Sequence, residues 1–124
     1  MKNLIKNLSL ILTLLIGGNA IAQEAKVIQL TQVQGDFKEK KELNLKAGEA
    51  YIFEVTNEGV DHKVGFVITP KGKTTQEHHI QNAYVQETIE NGSSSRSKEV
   101  ILKKGEYEYF CPMNPTPHYT IVVN

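Results

Sequence analysis

The chain has 124 residues, and its 14 Lys and Arg balance its 14 Asp and Glu. That balance excludes the strongly basic surface that nucleic acid or an anionic membrane would recruit. A chain of this length builds one small domain, with no room for two.

At the N-terminus, Lys2 and Lys6 precede the apolar run LSLILTLLIGG, and the small residues Ala20 and Ala22 stand just before Gln23. Charged start, short apolar stretch and small-residue cleavage positions are the three parts of a secretory signal peptide. The run is shorter than the roughly 20 residues that span a bilayer. Residues 1–22 are therefore read as a signal peptide and residues 23–124 as the exported domain, periplasmic or secreted, with no membrane insertion after cleavage. Without Lys2 and Lys6 the exported part holds 12 basic against 14 acidic residues, a charge of about −2. In an oxidising compartment cysteines usually pair, so the lone Cys111 calls for an intermolecular bond or a chemical role.

Apolar and polar residues then alternate through KVIQLTQV (26–33), KELNLKAG (41–48), AYIFEVTN (50–57), HKVGFVIT (62–69), SKEVILKKG (97–105), YEYFC (107–111) and YTIVV (119–123). Period two marks half-buried strands, and glycine-bearing turns separate most of them. Strands at this spacing predict an all-β sandwich or barrel. Residues 72–97, polar and Ser-rich at their end, predict a short irregular or helical insertion. Alternation puts Tyr107, Tyr109 and Cys111 on one side of their strand, and His62, Val64, Phe66 and Ile68 on one side of theirs. Tyr51, Phe53, Val64, Phe66, Tyr107 and Tyr109 are the expected core.

His62 at the mouth of one strand, Cys111 at the end of a second and His118 at the start of a third can converge on one pole of a sandwich. One thiolate and two imidazoles in a trigonal arrangement, with a weak axial thioether, are the ligands of a blue-copper site. Here they would be His62, Cys111 and His118, and Met113 is either the axial ligand or a plain loop residue. Each has a plainer reading: Cys111 a small buried hydrophobe, His62 a solvated residue beside Asp61, His118 a surface residue at a strand start. His78 and His79 read as a solvated pair.

LNLKAGEAYIFEVTNEGVDHKVGFVI, LKKGEYEYFCP and the final YTIVV resemble the cupredoxin family over most of residues 26–124. The resemblance implies a Greek-key β-sandwich. It matches Asn57 through His62 to the strand and loop that bring the first copper-binding histidine. Gly105, Tyr107, Tyr109, Phe110 and Cys111 match the strand that supplies the thiolate. The chain departs from the family after the cysteine, where CPMNPTPHYT places Met113 first and His118 last, with no Met downstream. The implied function is a small copper electron carrier with one mononuclear copper, monomeric and served by a redox partner protein that the sequence does not name. Two alternatives stand beside it: a copper carrier or sequestration module, and a metal-free binding or structural domain. Cys111 with a nearby histidine meets the letter of a nucleophile and base. No oxyanion-hole or substrate-binding segment accompanies it, and catalysis is not expected.

Overall fold

The computed structural model describes residues 24–39 and 42–124; the expected signal peptide, residues 1–22, lies outside them. Among the described residues nine strands make two sheets packed face to face, as the alternating pattern predicts. They are β1 (Lys26–Val33), β2 (Asp36–Phe37), β3 (Leu43–Leu45), β4 (Ala50–Asn57), β5 (Val67–Pro70), β6 (Ser94–Arg96), β7 (Val100–Ile101), β8 (Gly105–Phe110) and β9 (Tyr119–Val123). One sheet runs β3-β9-β8-β5 and the other β2-β1-β4-β6, with β7 also paired to β4. No helix among the described residues is long and apolar enough to cross a membrane.

β4 shows why these residues make these elements. Tyr51, Phe53, Val55 and Asn57 are buried, while Ala50, Ile52, Glu54 and Thr56 between them are half-buried. β1 lies parallel to β4 in an unbroken register from Lys26 against Tyr51 to Gln32 against Asn57. β8 lies between β9 and β5, antiparallel to both. The inner faces meet in an aromatic cluster, in which Phe37 stands edge-on to Tyr109 with ring centres 5.0 Å apart and Phe53 lies 5.4 Å from Phe66. All six expected core residues belong to this core, Tyr107 as a half-buried flank.

Three expected strands are shorter than their pattern, the 41–48 segment being a strand only at Leu43–Leu45. The 62–69 segment becomes a strand only at Val67, because the Asn57 side chain captures the turn before it. Its amide Nδ2 donates to the carbonyls of Val60, His62 and Ile89, and its Oδ1 accepts the Val60 N–H. Backbone groups satisfied by a side chain need no ladder partner. The 97–105 segment reduces to Val100–Ile101. In the insertion, Gln76–His78 and Gln81–Ala83 are single 3-10 turns, and β6 is a strand without apolar alternation. Its Thr56–Ser94 hydroxyl contact and Arg96–Glu54 ion pair tie it to β4.

Candidate metal centre

β8 presents Tyr109 and then Cys111 to the core, and the chain leaves the strand at the thiol, which is only 1% exposed. Its Sγ accepts the backbone N–H of Gly65 at 3.4 Å and that of Asn114 at 3.3 Å. The Cys111 N–H in turn donates to the Thr116 hydroxyl, so the loop after the cysteine folds back over it.

Asn114 anchors that fold. Its side chain donates to Gln32 Oε1 and to the Val33 carbonyl and accepts the Gly35 N–H, and Gln32 Nε2 donates to the Gly65 carbonyl at 2.6 Å. Gly35 takes a φ of 72°, a conformation that costs glycine little and other residues more. Gln32 and Asn114 are wholly buried, so each hydrogen bond replaces one that water would have made. The sequence reading passed over both residues. A signal exists for Gln32: it occupies an inward position of β1, where an apolar residue is expected, and a polar group there requires built partners.

Of the four expected ligands, only Cys111 and Met113 approach a common residue. Cys111 and Met113 flank Gly65: the thiol accepts its N–H, and the Met113 thioether sulfur lies 3.4 Å from where a Cβ on Gly65 would stand. His62 is exposed on the turn after β4, and its ring Nδ1 donates to the adjacent Lys63 carbonyl. His118 lies across the sheet from the thiol. Its ring stacks on Phe110 at 4.0 Å and 5°, and its Nδ1 donates to Glu108 Oε1 at 2.8 Å. Glu108 and Phe110 alternate with Tyr109 and Cys111 along β8, so they project from the opposite face. Among the described residues no three His, Cys, Asp or Glu side chains are grouped to hold a metal ion.

Glu108 is the hub of that outer face. Burial pushes its carboxyl up, but the Gly72 N–H, the bond and charge of His118 and the charge of Lys71 together hold it below the usual carboxylate range. Beside it, His79 differs from its expected solvated state. It is half-buried, its Nδ1 lies 2.8 Å from the Tyr84 hydroxyl, and its ring stands edge-on to Phe110. His79 and Met113 line one groove of about 510 Å³, together with Gly65, Val67, Tyr84 and Pro112.

A family model described as a cupredoxin-like domain matches residues 6–123. The chain belongs to the cupredoxin-like family. Solved structures repeat the fold. Auracyanin A, a "blue" copper protein of Chloroflexus aurantiacus, superposes with a TM-score of 0.66 at 15% identity over 82% of this chain and 100% of its own. Auracyanin of Roseiflexus castenholzii gives 0.62 at 13% identity over 82% and 99%. A copper-containing nitrite reductase of Thermus scotoductus gives 0.50 at 20% identity over 88% of this chain but only 24% of its own. No curated protein matches the chain.

In this cupredoxin-like domain the two sulfur donors share one glycine, whereas His118 is bound to a carboxylate on the far face. This arrangement does not fit a trigonal site of one thiolate and two imidazoles. A thiolate and a thioether are soft donors that select Cu(I) over harder ions.

Proposed function

We propose that this exported cupredoxin holds copper as Cu(I) in a carrying or sequestering role, with Cys111 and Met113 as its sulfur donors. The observation that carries the reading is that both sulfur-bearing side chains approach Gly65, the Cys111 thiol at its N–H and the Met113 sulfur 3.4 Å from where its Cβ would stand. Soft ligands stabilise Cu(I) and leave Cu(II) poorly served, which suits retention of the ion better than repeated electron transfer. The Asn114–Gln32 network supports the same reading, because it holds the Cys111 loop in place with every amide paired. Export, from the signal peptide at residues 1–22, would place the domain where copper arrives from outside the cell.

Anaerobic titration of the purified chain with Cu(I), in competition with a chromogenic chelator, tests this. Tight binding of one ion is expected, with Cys111→Ser abolishing it and Met113→Leu weakening it. Absence of Cu(I) binding would defeat the proposal and favour a metal-free binding domain.

The electron-carrier reading, with His62, Cys111, His118 and Met113 around one mononuclear copper, draws its support from the auracyanin likeness, a "blue" copper protein among the structural neighbours. It requires His118 to leave Glu108 and Phe110 and cross to the thiol side. His118→Ala discriminates between the two: it removes a ligand in the electron carrier and leaves Cu(I) affinity unchanged in the carrier of the ion. A redox partner protein is required only by the electron-carrier reading.

A further inference from the structure

Between the insertion and the Cys111 loop lies the groove of about 510 Å³ already described, a volume within the range of ligand sites. Its wall is mainly apolar, and two of its side chains, His79 and Met113, offer the nitrogen and sulfur donors that a soft metal ion prefers, while Gln76, Tyr84 and Thr88 offer only oxygen or amide groups. Met113 is 47% exposed at one side, on an unbranched side chain that reorients at little cost. His79 is opposite in kind, half-buried and held by two contacts, the Tyr84 hydroxyl at Nδ1 and the edge of Phe110. In the tautomer whose Nδ1 donates to the Tyr84 oxygen, the Nε2 lone pair is without a protein partner among the described residues. An imidazole fixed at one nitrogen by an oxygen and open at the other has the arrangement that metal-ligating histidines show.

We infer that a soft monovalent metal ion is captured in this groove by His79 Nε2 and Met113 Sδ. The site deepens the Cu(I) reading and rests on it: Met113 belongs to both places, so the ion bound at the groove stands next to Gly65, behind which the Cys111 thiol lies. Gly65 offers no side chain between groove and thiol, since even a Cβ there would lie 3.4 Å from the Met113 sulfur. A thioether and a neutral imidazole bind Cu(I) and Ag(I) and discriminate against Mg²⁺ and Ca²⁺, which require oxygen. Tyr84 is a positioning residue, because it sets the tautomer and the angle of the His79 ring without touching the metal.

The test uses Ag(I) as a redox-inert probe on the purified chain, with calorimetry for affinity and ¹⁵N NMR for the histidine rings. The expected result is a shift of the His79 Nε2 resonance on binding, with the His62 and His118 rings unmoved. His79→Gln should weaken Ag(I) by about tenfold or more and Tyr84→Phe by less, on the scale known for ligands and their supporting partners. If wild type binds Ag(I) but the His79 ring does not respond and His79→Gln retains full affinity, the groove site is overturned while the Cu(I) reading stands. If wild type binds neither Ag(I) nor Cu(I), both fall. Because the NMR readout is taken on the wild-type chain, it decides the matter even where a variant fails to fold.

Discussion

Asn114 shows how much one buried amide can organise. It ties the Cys111 loop to the end of β1 and to the turn at Gly35. Asn114→Ala would leave the Gly35 N–H, Gln32 Oε1 and the Val33 carbonyl without that partner, at about 1–3 kcal/mol for each group left unsatisfied. A loss of at least about 2 kcal/mol in denaturant unfolding is expected, and a loss near zero would mean that water replaces the amide. Glu108 makes a pH-dependent case. Its carboxyl is held low in the folded state, so its contribution is complete above the ordinary carboxylate pKa of about 4.3 and disappears as pH falls through its lowered folded value. Glu108→Gln should therefore flatten the acid limb of a stability-against-pH curve, measured by thermal unfolding between neutral and acid pH. His118, Lys71 and the Gly72 N–H are the groups that face it, and a curve unchanged by the substitution would remove Glu108 from this role. At this scale the sequence was least legible. Cys111 and its inward facing could be read from period two, but the side of the sheet taken by His118 depends on the path of a proline-containing loop, which no alternation encodes.

Strands were legible to the extent that their hydrogen bonds run strand to strand. β1, β4 and β9 have the bounds their alternation implies, since each has a neighbour that pairs along nearly its whole length. The 62–69 segment fell short because Asn57 took over its first carbonyl, that of His62, and the turn before it, and β6 escaped notice because Ser94, Ser95 and Arg96 pack by hydroxyl contact and an ion pair instead of apolar faces. Within β5's approach, Phe66 is 2% exposed and touches Phe37, Phe53 and Tyr109. Phe66→Ala should cost about 3–5 kcal/mol, read as a shift in the urea midpoint with little change in slope. A cost under about 1 kcal/mol would mean that the core collapses freely around the gap, contrary to its interlocked rings.

For the whole molecule, the cupredoxin sandwich was readable from strand spacing and the Gly105–Cys111 strand, while the placement of the candidate ligands was not. The fold sets Cys111 and Met113 against Gly65, a pairing far apart in sequence, while His62 and His118 are held by nearby residues, Lys63 and Glu108. Export belongs to this scale too: mass spectrometry of the secreted form should give a chain beginning at Gln23, and a membrane-bound chain retaining residues 1–22 would contradict it. The most direct test of the central claim is the visible absorption spectrum of the purified protein after addition of Cu(II). Two sulfurs without converging imidazoles predict no intense sulfur-to-copper charge-transfer band, together with binding of Cu(I) by the same protein under anaerobic conditions. An intense band that Cys111→Ser and His118→Ala both abolish would contradict the account and establish the trigonal site in its place.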